Sequence, residues 1–141
     1  MLFPYHFDSP LTPSAVKIQR ENLKEFERQH FADYSVFELI ANRTQFCDDL
    51  LKQLWQQFEL DKAHLTLIAV GGYGRREMFP LSDLDVLILS KEERESETEE
   101  KIAQFVQLLW DCGFDVGHSV RSLEECEKEG KQDITIATNL L

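Results

Sequence analysis

At 141 residues and 43% hydrophobic, with ten phenylalanines, the chain can bury a real core as about one domain, which excludes a disordered segment. A formal net charge of −11 argues against a domain that grips nucleic acid through a broad basic face, but not against a triphosphate ligand, because bound Mg²⁺ brings its own positive charge. Cys47, Cys112 and Cys126 are odd in number, widely spaced and never Cys-x-x-Cys, so neither a disulfide scaffold nor a zinc knuckle is indicated, and a reducing cytoplasmic compartment fits best.

Met1 to Pro10 lacks a basic start and an apolar centre, so no secretory leader is read there. The aliphatic stretches are too short to span a bilayer, and no membrane association is expected. Residues 1–11 read as an irregular arm. Thr12-Pro13 looks like an N-cap with proline at the first helical position, predicting a helix to about His30. Ser35 and Glu38 form a capping-box signature. Leu39, Ile40, Phe46, Leu50, Leu51, Leu54 and Phe58 then recur at helical spacing, predicting an amphipathic helix over roughly 36–58.

The period changes at Leu65. Residues 65–70, LTLIAV, read as a buried strand broken by Gly71-Gly72. Tyr73 to Phe79 predicts a short helical turn, and Asp83 to Leu89 a second strand. The charged run 91–101 reads as a solvated loop and first helical turn, with a second capping box at Ser96 and Glu99. Ile102, Phe105, Val106, Leu109 and Trp110 line one helical face, and Gly113 is a natural stop. Phe114 to Val120 predicts a third strand. Ser122 with Glu125 predicts a short helix closed by Gly130, and Asp133 onward a further helix. The C-terminal pattern Ala137 to Leu141 carries no stop signal and reads as part of a longer chain. The expected fold class is α/β in the α+β sense: a small mixed sheet with flanking helices. Residues 1–60 would supply an arm and helical extension, and 61–141 the core.

The chemistry concentrates in Val70-Gly71-Gly72-Tyr73-Gly74-Arg75, followed by Ser82-Asp83-Leu84-Asp85-Val86. A strand ending in Gly-Gly exposes backbone N–H groups and lets phosphate oxygens approach closely. Alone it is equally an ordinary tight turn. It is not a Walker A loop, since no Gly-Lys-Ser/Thr follows, and it lacks the last glycine of the dinucleotide fingerprint. Asp83 and Asp85, at i and i+2 of a strand, project to one side. Two adjacent acids in an apolar segment repel each other and cost desolvation, and a cation between them removes both penalties. Mg²⁺ suits such a carboxylate and phosphate donor set. Asp-x-Asp alone is otherwise a solvated strand end.

Together, the glycine turn and Asp-x-Asp on the next strand, with ten residues between Gly72 and Asp83, resemble the DNA-polymerase-β-like nucleotidyltransferase superfamily. The likeness narrows further. Residues 70–89, VGGYGRREMFPLSDLDVLIL, resemble the start of the bacterial PII uridylyltransferase / uridylyl-removing family. Leu109-Trp110-Asp111, residues 116–121 (VGHSVR), Glu124-Glu125-Cys126 and residues 133–138 (DITIAT) resemble it in the same order. The likeness covers roughly residues 36–141. Arg76 departs from it, standing where the family usually has glycine.

The resemblance implies a polymerase-β-like fold and transfer of UMP from UTP to a tyrosine hydroxyl of the PII signalling protein. It implies two metal ions, Mg²⁺ or Mn²⁺, held by Asp83 and Asp85. It also implies later HD-type hydrolase and glutamine-sensing ACT domains, and no His-Asp pair of HD type occurs in these residues. Gly71 and Gly72 would cradle the triphosphate. Ser82 could add a hydroxyl donor or simply cap a turn. Arg75 could reach a phosphate or stand as a surface arginine. For the third acid, Asp115 on the expected third strand ranks ahead of Asp133, which could equally be a helix N-cap. Asp115 could help deprotonate the acceptor. His118 is a conceivable base but, as a lone strand histidine, reads first as structural. Another protein- or small-molecule-modifying nucleotidyltransferase, or an inactive nucleotide-binding module, are the alternatives.

Overall fold

The computed structural model describes residues 3–74, 84–91, 94–122 and 138–139. Helix α1 (Pro13–His30) starts as its sequence dictates. Thr12 is extended, its hydroxyl accepts from Ala15 N at 3.3 Å, and proline occupies the first turn. Helix α2 (Val36–Gln57) carries the full capping box: Ser35 Oγ accepts from Glu38 N and Ser35 N donates to Glu38 Oε1, both at 3.1 Å. A 3₁₀ turn at Leu60–Lys62 leads into β1 (Leu65–Ala69), then a single helical turn α3 (Gly71–Gly74). After these come β2 (Leu84–Ser90), α4 (Ser96–Asp111), β3 (Val116–Ser122) and β4 (Thr138–Asn139).

The sheet runs in the order β3-β2-β1-β4. β1 is antiparallel to both its neighbours, whereas β2 and β3 are parallel. The sheet is therefore mixed, as expected. A parallel pair needs a long crossover, and α4 supplies it between β2 and β3. This α+β architecture is consistent with a polymerase-β-like nucleotidyltransferase fold.

Three local expectations are corrected. Ser96 does not cap α4: the N-cap is Glu95, with no side-chain cap bond, and the Glu99 carboxylate lies 3.4 Å from Arg94 Nε instead. β3 begins two residues later than expected and runs through Ser122, so Ser122 closes a strand. At the C-terminus Thr138–Asn139 pair with Ala69 and Ile68, where a helix was expected. Residues 123–137, including the expected helix after Ser122, lie outside the described residues.

Among the described residues one core joins the helices to the sheet. Phe46, Leu50, Leu51, Leu54 and Trp55 of α2 join Leu67 of β1, Leu84, Val86 and Ile88 of β2, and Ile102, Phe105 and Leu109 of α4. Trp55 meets Phe105 edge-on at 5.5 Å, a favoured aromatic geometry. The arm is irregular but not loose. Phe3, Phe7 and Leu11 are buried in the same cluster. The Gln57 amide satisfies both backbone groups of Leu11, at 2.6 Å and 3.2 Å, so the arm gains strand-like pairing without a strand.

Candidate active site

Strand period sets the site. Leu84, Val86 and Ile88 are fully buried in the core, so Asp85 between them turns to the other face, where it is half-buried. Its backbone is fixed on both sides. Val70 N donates to Asp85 O at 3.0 Å, and Asp85 stands opposite Gly117 in the parallel register of β2 and β3.

The Asp85 carboxylate lies between two glycines. A Cβ built on Gly71 would fall 2.8 Å from Asp85 Oδ2, and one on Gly117 would overlap Asp85 Oδ1 and sit 3.5 Å from Cγ. Gly71 has φ +60°, a left-handed conformation that side chains rarely adopt. Glycine is favoured there by conformation, and a Cβ would in addition press on the Asp85 carboxylate. From this turn Gly74 N donates to Val70 O at 2.9 Å, closing α3. Gly72 is half-buried in the same turn. Tyr73 is buried and its hydroxyl donates to Asp48 Oδ1 of α2 at 2.6 Å, tying the glycine turn to the helix behind it.

Asp115 immediately precedes β3 and is exposed. Its carbonyl accepts from Leu84 N at 2.8 Å, the bond that opens the Leu84–Val116 pairing of the ladder. Lying two residues before Gly117, it falls on the Asp85 side of the sheet by period. Arg20 of α1 braces this turn. Its guanidinium donates to Cys112 O at 2.9 Å and lies 4.0 Å over the Phe114 ring. His118 stands opposite Val86, hence on the other face, with its ring edge-on to Trp110 at 6.0 Å. It is not brought to Asp85.

Of the sequence-predicted residues, the structure brings Gly71 and Asp85 together, keeps Gly72 in the turn, and puts Asp115 on the same sheet face. Arg75, Ser82, Asp83 and Asp133 lie outside the described residues. Gly117, Tyr73 and Asp48 are additions. A glycine inside a strand signals a close approach, and an acid in the apolar stretch of α2 signals a buried partner. Among the described residues no group of three or more His, Cys, Asp or Glu side chains forms a metal cluster. The half-buried Asp85 carboxylate, held in a backbone slot, is nonetheless a hard oxygen donor of the type that Mg²⁺ takes. Among the described residues no helix is long and apolar enough to cross a membrane.

A small mixed sheet with a glycine turn over a strand carboxylate is the arrangement of a nucleotidyltransferase. Residues 21–124 match the family model described as "Putative nucleotidyltransferase DUF294", and the chain belongs to that family. Over its whole length it is 68% identical to a protein of Haemophilus influenzae (strain PittEE) named "Bifunctional uridylyltransferase/uridylyl-removing enzyme". Proteins of the same name from Pasteurella multocida (strain Pm70) and Vibrio cholerae are 66% and 44% identical, over 100% and 97% of the chain. The chain spans 16% of the length of each of these relatives. No solved structure matches.

Proposed function

We propose that this chain forms the uridylyl-transfer site of an enzyme like these bifunctional relatives, moving UMP from UTP to a tyrosine hydroxyl of the PII signalling protein. The observation that carries the proposal is the Asp85 carboxylate seated against the Gly71 turn at the end of two paired strands. The names of the relatives support uridylyl as the group transferred.

In the reaction the tyrosine oxygen bonds to the α-phosphorus of UTP, the bond to the β-phosphate oxygen breaks, and pyrophosphate leaves. The phenolic proton passes to a base. Asp83 and Asp85 would hold Mg²⁺, or Mn²⁺, which when bound offsets the charge of the triphosphate and of the transition state. The open backbone at Gly71 and Gly72 suits phosphate approach, with Ser82 and Arg75 as further phosphate contacts. Asp115 is the third acid in this proposal and would receive the proton. Asp133 is its rival, and parallel Asp→Asn variants separate the two. Uridylyl removal and glutamine sensing belong to the remaining length of such an enzyme, and the reaction is placed in the cytoplasm.

The test is transfer of labelled UMP to PII by the full-length enzyme, with labelled ATP as nucleotide control and with Mg²⁺ present or chelated. Mg²⁺-dependent labelling from UTP, lost in Asp83→Asn and Asp85→Asn, supports the proposal. Preferred labelling from ATP, or full turnover in both variants, overturns it.

A further inference from the structure

We infer that Gly117 is a positioning residue: with Gly71 it forms a slot of bare backbone that fixes the direction of the Asp85 carboxylate. This rests on the proposed nucleotidyl-transfer role of Asp85.

Three observations converge on this slot. Gly117 stands opposite Asp85 in the parallel β2–β3 ladder, so both positions face the same side. A Cβ on Gly117 would overlap Asp85 Oδ1, and a Cβ on Gly71 would lie 2.8 Å from Oδ2, so the two carboxylate oxygens are bounded by different glycines. Gly117 is also exposed, within the seven-residue strand Val116–Ser122. An exposed strand position ordinarily favours a β-branched or polar side chain, and glycine there weakens the strand. The fold accepts that weakness at the one rung where a side chain would strike the carboxylate.

The slot does two things chemically. It lets the carboxylate lie close against the backbone of both glycines, where a side chain at either position would push one of its oxygens aside. It also leaves no room for a longer acid. Asp85→Glu keeps the charge, but its extra methylene drives the carboxylate out between the glycine walls. At a strand end open to solvent, glutamate would be tolerated.

The experiment uses the full-length enzyme with Mn²⁺ alone as probe, bound Mn²⁺ being read by water-proton relaxation and folding by the melting temperature. Gly117→Ala and Asp85→Glu are expected to fold and to bind Mn²⁺ between about tenfold and a hundredfold more weakly, the usual loss when the support of a metal ligand is disturbed. UMP transfer should fall in both, and Gly117→Ala should add nothing in an Asp85→Asn background, because it acts only through that carboxylate. Normal Mn²⁺ affinity in both folded variants, or an added loss of transfer in the Asp85→Asn background, overturns the inference. Should Gly117→Ala fail to fold, Asp85→Glu decides alone: wild-type Mn²⁺ affinity in it refutes the slot. Full transfer by Asp85→Asn would instead refute the proposed role of Asp85 itself, a distinguishable failure.

Discussion

The Tyr73 hydroxyl donates to Asp48 Oδ1 at 2.6 Å, in the buried space between the glycine turn and α2. This contact joins the residue after Gly71-Gly72 to a helix 25 positions earlier in the chain. The turn is therefore held from behind by the Asp48 side chain of α2. Hydrogen bonds to charged groups contribute more than neutral ones, and their loss in a buried site is felt fully.

Tyr73→Phe removes the donor and little volume. The expected result is a loss of about 1.5 to 3 kcal/mol of stability. The looser glycine turn should also raise the KM for UTP by about tenfold, because small misplacements at a phosphate site are costly. Urea melts and initial-rate kinetics check the two parts separately. A stability loss with unchanged KM would make Tyr73 a core residue only.

His118 supplies a contrasting case. It faces away from Asp85 and lies against Trp110. His118→Ala should leave UMP transfer within about twofold of wild type, since surface substitutions away from a site change little. A hundredfold loss of kcat would show that the histidine reaches the reacting groups after all.

Much of this was legible from local signals. The Ser35–Glu38 box, the Thr12-Pro13 start, the Gly113 stop and the strand 65–70 each depend on residues within a few positions of one another, where propensity and period speak directly. The facing of Gly71 and Asp85 was legible because a glycine break and an acid on the next strand leave few arrangements. What was not legible depends on pairing across distance. The position of Gly117 beside Asp85 follows from a parallel register that period alone does not set. The placement of Phe3, Phe7 and Leu11 follows from α2, where Asn42 accepts from Phe3 N, Gln53 donates to Phe7 O, and Gln57 accepts from and donates to Leu11, in an arm with no periodicity of its own. The helix expected from Asp133 failed at Thr138–Asn139 because the edge of β1 offered backbone partners that composition does not reveal.

The buried thiols give a pH prediction. Burial pushes Cys47 up from the ordinary 9.0 to about 12, and Cys112 to about 11. Burial, and then the hydrogen bond to Asp49, raise Tyr5 well above the usual phenol range. Each group is an acid whose folded value exceeds its unfolded one, so folding favours the protonated form. That contribution is complete below the unfolded values and fades as pH climbs through the window towards the folded values. Stability should therefore decline from about pH 9 upward, and more gently in a Cys47→Ala variant once its lower baseline is subtracted. At about pH 8 neither Cys47 nor Cys112 should react with iodoacetamide until the chain is unfolded, since the thiolate is the nucleophile. Peptide mapping identifies the alkylated position, and rapid native alkylation at Cys47 would contradict its burial.

The last prediction joins ligand binding to stability through Asp85. A ligand that binds only the folded state stabilises it by mass action, by about 2.7 kcal/mol at a hundred times its Kd. With a non-hydrolysable UTP analogue and Mg²⁺, the wild-type enzyme should melt at a clearly higher temperature. Chelating the metal should remove most of that gain, because the triphosphate would then face the Asp85 carboxylate uncompensated. In Asp85→Asn the charge is gone while size and hydrogen-bonding reach are kept. Without ligand this variant should still fold cooperatively, since the amide keeps the size of the half-buried carboxylate beside Gly71 and Gly117. With analogue and Mg²⁺ its gain should shrink to that of the chelated wild type. Turnover should fall on the order of a hundredfold or more, the usual loss when an electrostatic contact made in the transition state is removed. Differential scanning calorimetry with and without chelator, on both proteins, makes the comparison. If Asp85→Asn shows the full wild-type gain with Mg²⁺ and analogue, the carboxylate holds no metal and the turn at Gly71 binds the triphosphate without it.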